Sequence, residues 1–479
     1  MTLRTISTIA IAPLVGDVAD SEYSWLGASL GKLLTEHLAG AGLPVLHYNA
    51  VGEATLKLDQ PLPLDEDGAE AVMEALKLSK LVAGGFRLKD DTLHLSLTVT
   101  AADATSAPLT DSDKTAAFAA LVERVALALV RRLGFPADDE RQKRLRAVPR
   151  LRNFEAFRQL VRARAAWADE DFPLALSLVQ SARELEPKLE EAAEVQIGVA
   201  RAASDPTAIR DGFERWAELA KRNGRPVVRA ERLLLFGHWL LDQGAWDEAE
   251  DRYKTALSVF RQHGRRLSEA QALDNLAGLL LRQGEPDEAA ATYRQSIAVY
   301  EMLGSQQDIA TASYNLALAY KAQGETGSAL GAINRVLSIA RQLKESGLEA
   351  AALDQRGTIL ARSGGVQGAQ ADYEQALKLY EVEGNLIGLA TVKDHLATLH
   401  ADAGDHAAAE ALHLEAVALF EQLGDAHELA VSWANLAALY QQMGAYDQAW
   451  DYAQRAHEVF TRLGSGMQQV TEGLLAGLS

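Results

Sequence analysis

From Glu231 to Gly464 the chain repeats itself every forty residues, and no other feature limits its fold as strongly. Gly244, Gly284, Gly324, Gly364, Gly404 and Gly444 share one phase of that period. Five residues after each stands an alanine: Ala249, Ala289, Ala329, Ala369, Ala409 and Ala449. Seven residues before each stands another small residue: Gly237, Ala277, Ala317, Gly357, Ala397 and Ala437. A second glycine series at the same period, Gly264, Gly304, Gly384, Gly424 and Gly464, closes the units, with Lys344 the one break. A period of this length with this punctuation predicts stacked helix pairs.

The spacing has a physical reading. The mid-unit glycine supplies the positive-φ turn between two helices. The small residue of the first helix and the alanine of the second let the two cross closely. Tyr253, Tyr293 and Tyr373, each four positions after the second-helix alanine, fill holes between units. One pair cannot bury its apolar face alone, so neighbours must stack. The order small, glycine, alanine, aromatic resembles the tetratricopeptide repeat (TPR). Ala312-Ser-Tyr-Asn-Leu-Ala-Leu-Ala-Tyr320 and Ala434-Asn-Leu-Ala-Ala-Leu-Tyr440 are similar to its longer bacterial variant. The resemblance covers about half the chain and implies a right-handed superhelix that binds a protein or peptide. Upstream, Ala163, Ala175, Ala182 and Pro187 keep the spacing of an ordinary TPR, with Glu170 where the turn glycine would stand. A looser pair is expected over Glu190–Ala203 and Pro206–Arg222.

The first 136 residues read differently. Ile6–Leu14 is apolar on both faces and predicts a buried strand. A helix is expected from Trp25 to Ala41, a strand over Val45–Tyr48, and a helix from Asp65 to Leu78. Leu81–Leu88 and Thr92–Thr100 predict a hairpin turned by Lys89-Asp90-Asp91; Leu93, Leu95, Leu97 and Val99 alternate with His94, Ser96, Thr98 and Thr100. Lys114 to Leu133 predicts a long amphipathic helix stopped by Gly134-Phe-Pro136. The opening strand with Pro13, Trp25-Leu-Gly-Ala-Ser-Leu30, Val82-Ala-Gly-Gly-Phe86 and Asn153-Phe-Glu-Ala-Phe157 resemble the N-terminal α/β domain of the TolB protein and the TPR lead-in of bacterial proteins that carry a related domain. That resemblance implies a non-catalytic interaction or sensing module. The fold class expected is α+β, a small α/β domain followed by an all-α TPR solenoid. Its parts are an α/β domain (1–136), a basic linker (137–152), a first TPR and degenerate pair (153–225), six forty-residue repeats (226–465) and a capping tail (466–479).

Composition narrows the function. No apolar run approaches the about 20 residues a membrane span needs, and the opening residues lack the pattern of a signal peptide. The absence of cysteine excludes disulfides and fits a cytoplasmic protein. A net charge of −19 disfavours nucleic acid as a partner. The strongly basic stretch, Arg141-Gln-Lys-Arg-Leu-Arg146 with Arg150, Arg152, Arg158, Arg162 and Arg164, reads as a solvated joint or a docking point for an acidic partner.

Candidate binding residues lie on the first helices, which line the inner groove of a TPR stack. Two positions before the small residue stand Leu235, Asn275, Asn315, Gln355, His395 and Asn435. A carboxamide donates and accepts at once, which suits the backbone of an extended peptide; the same asparagines could instead bridge neighbouring first helices. One position earlier stand Asp274, Tyr314, Asp354 and Asp394, and a turn or two later Arg282, Lys321 and Arg362. The acids favour a ligand with basic or amide side chains. Catalytic signals fail inspection, so no enzyme, cofactor or metal is expected. Gly27-Ala-Ser-Leu-Gly-Lys32 is one residue short of a phosphate loop and follows its lysine with Leu33. His395, His400, His406 and His413 form a histidine-rich patch, but His395 and His400 sit off a common helical face. The reading is a peptide- or helix-binding scaffold, with a signalling regulator as the alternative.

Overall fold

The computed structural model describes residues 8–16, 26–46, 48–58, 60, 62, 64–101, 104–147 and 153–478. They form two compact units, Met1–Arg232 and Leu233–Ser479.

The first unit begins with a mixed sheet. β1 (Ile9–Ile11) and β2 (Val15–Gly16) run parallel to successive parts of β3 (Lys80–Lys89). β4 (Thr92–Ala101) pairs antiparallel with β3, and β5 (Ala104–Thr105) and β6 (Leu109–Lys114) pair antiparallel with β4. The hairpin forms as the alternation predicts, and its turn places Asp90 (φ 47°) and Asp91 (φ 60°) in the left-handed region that two-residue hairpins require. Side-chain alternation divides the core. Ile9, Ile11, Val82, Phe86 and the Leu93–Val99 face pack under α1 (Leu26–Gly40) and α4 (Phe118–Arg132), while Ala10, Ala12, Leu81 and Ala83 pack on α2 (Tyr48–Lys57) and α3 (Glu66–Ala75). Gly27 opens the close approach of α1 to the sheet: a Cβ there would lie 1.9 Å from the Leu14 carbonyl oxygen. The lysine-containing glycine segment is therefore a helix start packed on the sheet.

Two expectations need correction here. Val45 makes a single parallel bridge to Ile9 rather than a strand, because β1 is itself three residues long, and the chain then enters α2. Lys114 ends β6 instead of starting a helix; a short 3-10 turn over Thr115–Ala117 precedes α4, whose Arg124 pairs with Asp111 (3.0 Å) and Asp113 (3.1 Å) on that strand. The basic stretch also carries structure: α5 (Asp139–Ala147) buries Leu145 in the same core as Leu133. Residues 1–7, Trp25, Pro149, Arg150 and Arg152, on which parts of the sequence reading rest, lie outside the described residues.

Four helices complete this unit: α6 (Phe154–Ala168), α7 (Phe172–Leu185), α8 (Glu190–Ala202) and α9 (Pro206–Arg222). Asn153 caps α6 through the amides of Glu155 and Ala156, and Phe157 stacks on Phe118 of α4 with ring centroids 5.3 Å apart. Glu170 takes the positive φ (61°) of the missing turn glycine. Glu190, buried at the start of α8, receives Asn223, Arg225 and Arg232.

The division between units falls inside α10 (Pro226–Asp242), which pairs with α11 (Trp246–Gln262). Five further pairs follow: α12 (Arg266–Arg282) with α13 (Pro286–Leu303), α14 (Gln306–Gln323) with α15 (Thr326–Leu343), α16 (Ser346–Arg362) with α17 (Val366–Glu383), α18 (Leu386–Asp402) with α19 (His406–Leu423), and α20 (Ala426–Gln442) with α21 (Tyr446–Leu463). The glycines end helices as their phase demands, with φ of 73–82° at mid-unit and 64–71° at the closing turns. Lys344 adopts the same conformation (φ 61°) without being glycine. Every second-helix alanine of the series is fully buried. A last helix, α22 (Gln468–Leu478), packs on α20 and α21, and its Thr471 hydroxyl, which donates to the Gln468 carbonyl, accepts a 3.1 Å hydrogen bond from His457 Nδ1. Among the described residues no helix is long and apolar enough to cross a membrane.

Candidate functional site: the first-helix face of the repeat array

Within the second unit, first helices approach each other directly, α12 to α14, α16 to α18 and α18 to α20. Each second helix lodges between its own first helix and the next one, so the first helices form the inner layer of the stack. The predicted ladder residues stand one per first helix: Asn275 on α12, Asn315 on α14, Gln355 on α16, His395 on α18 and Asn435 on α20.

The rungs differ in state. Asn275, Asn315 and Asn435 are half-buried, and among the described residues their carboxamides have no hydrogen-bond partner. Gln355 is buried, and its Nε2 lacks a partner. His395 Nδ1 bonds the Asp354 carboxylate at 2.7 Å, joining α18 to α16, and its ring lies 5.8 Å from that of Tyr373. Burial pulls the His395 pKa down, but the Asp354 hydrogen bond and charge prevail and raise it overall.

The acids one position earlier turn inward. Asp394 is buried; one oxygen bonds His413 Nδ1 at 2.6 Å, and the other accepts from Ser432 of α20. Asp274 accepts a 2.8 Å hydrogen bond from the Tyr300 hydroxyl, while its Oδ1 is buried without a partner. Burial pushes the Asp274 carboxyl up to about 6, against the neighbouring Ser296 and Tyr300 hydroxyls, which lower it. Burial likewise raises the Tyr314 phenol, with the Asp354 charge adding to it.

The cations behave oppositely. Arg282 and Arg362 are exposed and Lys321 half-buried, and none has an ion pair or hydrogen bond among the described residues. Burial, then the nearby Arg362, lowers the Lys321 ammonium pKa, while Asp354 opposes the shift.

The sequence reading missed how the histidine patch is used. His413 occupies the slot held by Tyr253, Tyr293 and Tyr373 in other repeats, so it faces a first helix and needs a polar partner there; Asp394 supplies it. That substitution in a periodic slot was the available signal. A second network, Arg356 bidentate to Asp372 (2.7 and 2.6 Å) with Asn334 at 2.9 Å, carried no such signal because it occurs once. Among the described residues no three histidine, aspartate or glutamate side chains group as a metal site.

Comparison with known families places tetratricopeptide-repeat models on residues 229–302 and 388–462, and a second such model on 276–343. The array therefore carries tetratricopeptide repeats. No curated protein sequence matches the chain. Among solved structures, the apo form of RapI is similar at 12% identity and a TM-score of 0.49, over 57% of this chain and 98% of that one. A Rap protein complexed with competence and sporulation factor is similar at 14% identity and a TM-score of 0.43, over 68% and 97%. BtubC from P. vanneervenii is similar at 18% identity and a TM-score of 0.38, over 50% and 92%.

Proposed function

We propose that the repeat array is a non-catalytic interaction scaffold that holds a peptide or a helical segment along its first-helix face. The observation that carries this reading is the state of Asn275, Asn315 and Asn435. Their amides are half-buried, aligned by the repeat and without partners in the chain, among the described residues. The competing role, bridging first helices, falls instead to the Asp354–His395 and Asp394–Ser432 contacts. A carboxamide free to donate and accept together matches one peptide unit of an extended backbone.

The test is a double substitution, Asn315→Ala with Asn435→Ala. A screen of end-capped peptides of mixed sequence supplies the ligand. Each lost backbone hydrogen bond should weaken binding by about 1 kcal/mol while the melting temperature stays within about a degree. Unchanged affinity beside a lowered melting temperature would assign the asparagines to the fold and sink the reading.

A further inference from the structure

Strand alternation gives the sheet of the first unit two faces with different surroundings. Phe86, Leu93, Leu95 and Leu97 point to the face packed under α1 and α4. On the opposite face α2 and α3 pack against Ala10, Ala12, Leu81 and Ala83, at one end of β3. Towards the hairpin end of that second face lies a cleft of about 740 Å³. Small-molecule sites span about 300–1,000 Å³.

The register builds the floor of this cleft. Arg87 of β3 lies opposite His94 of β4, and His94 opposite Ser112 of β6. One row nearer the covered end, Gly85 lies opposite Ser96, Ser96 opposite Thr110, and Val15 of β2 flanks Gly85. Lys89 borders the hairpin side. A Cβ at Gly85 would lie 2.5 Å from the Val15 carbonyl oxygen, so the approach of β2 keeps this corner bare of a side chain. Lys89, His94, Ser96, Thr110 and Ser112 are exposed, and their side chains have no partner among the described residues. Asp111 is the sole carboxylate among the described residues lining the cleft, and Arg124 of α4 holds it on the other face at 3.0 Å. In a chain of net charge −19 the cleft is a local excess of donors and positive charge.

We propose that this cleft binds a small phosphorylated molecule, its phosphate over His94, Ser96, Thr110 and Ser112 and its organic part over Val15 and Gly85. Residues sharing a sheet face stand about 5 Å apart across strands and about 7 Å apart along them. The four donors thus mark the corners of a cell over which one phosphate can sit, its terminal oxygens reaching different corners. A carboxylate has two oxygens and would leave half of the corners unserved. Lys89, with Arg87 beside it on the same strand face, supplies the counter-charge. The site belongs to the sheet and does not depend on the groove reading.

The experiment uses the full chain and isothermal titration calorimetry with AMP, ribose 5-phosphate, adenosine, succinate and an end-capped hexaglutamate peptide. AMP and ribose 5-phosphate should bind, more weakly as salt rises, and adenosine should not. Lys89→Gln with His94→Gln should weaken AMP binding by about tenfold or more. Ser112→Asp, which puts a carboxylate on the floor, should abolish it. These side chains are exposed, so each variant should melt within about two degrees of the unaltered protein. Failure of both phosphate esters to bind overturns the proposal. So does AMP binding that ignores the substitutions, or adenosine binding as tight as that of AMP. Succinate or hexaglutamate binding as tightly as the phosphate esters would make the cleft a carboxylate site and equally overturn it.

Discussion

The sharpest test of how the helix pairs are held together is one methyl group at Gly357. A Cβ built there would lie 2.6 Å from Cε1 of Tyr373, 2.8 Å from Cδ1 and 3.1 Å from Cζ. The ring carbons cannot retreat freely, since Tyr373 is buried and its hydroxyl bonds Thr358 at 3.3 Å. Overpacking of this kind costs about 1–3 kcal/mol. The second repeat carries Ala277 together with Tyr293, so a tyrosine can be seated beside a methyl, and the lower half of that range applies. Against it stands the gain from replacing a mid-helix glycine by alanine, about 0.5–1 kcal/mol. Gly357→Ala should therefore destabilise by a net of about 0.5–1 kcal/mol. The third repeat shows the relief, because there Ala317 is matched by Ile333. In a Tyr373→Ile background the clash is gone and the same methyl should stabilise, by about 0.5–1 kcal/mol. Urea denaturation of the four proteins in this cycle measures the coupling directly, and the hydrogen bond lost with Tyr373 cancels between its two arms. A coupling energy indistinguishable from zero, or a stabilising Gly357→Ala in the unaltered protein, would refute the close-crossing argument.

Three further outcomes follow from the same structure. Lys344→Gly should raise stability by about 0.5–1 kcal/mol, read as a higher urea midpoint, because it relieves a left-handed conformation that costs a side-chain residue about 1–2 kcal/mol. Asp274→Asn should change stability with pH. With its carboxyl raised from 3.8 to about 6, Asp274 stabilises the fold fully below pH 3.8 and loses that contribution as pH rises through 6. The asparagine variant should thus gain about 2–3 kcal/mol on the natural protein at pH 8 and nothing at pH 4; a pH-independent difference would contradict the burial of that carboxyl. Asp394→Ala should cost about 1–3 kcal/mol in a thermal melt by stranding buried His413 and Ser432, whereas Asn275→Ala should cost almost nothing.

What could be read in advance followed from periodicity. The glycine phases, the buried alanines and the hairpin alternation each repeat a backbone or packing demand, so each is visible without coordinates. Glu170 and Lys344 were recognisable because they broke a phase, and both take the conformation the phase requires. Pairing across elements was not legible. Val45 looked like a strand from its neighbours, yet strand length is set by the partner it finds. Leu109–Lys114 hides an edge strand in polar residues, since its pairing rests on β4 and on Arg124. The candidate groove positions were legible one by one, but the partners their side chains find inside the array were not. Asp354 and Asp394 are acids by composition, but whether an acid faces a ligand or a histidine of the next helix depends on side chains forty residues away.

An array of near-identical units faces a hazard in folding that a unique core does not. Any first helix presents much the same small residue and the same crossing alanine, so a helix can dock on the wrong neighbour at little loss. Apolar packing alone does not tell one junction from the next. The contacts of His395 with Asp354, of Ser432 with Asp394 and of Arg335 with Glu301 at 2.5 Å each occur once. Skip the unit of α16, and His395 meets Tyr314 in place of Asp354; skip that of α18, and Ser432 is parted from Asp394. These pairs work as keyed joints: each fits one address in the stack, and the order of the repeats is written in them.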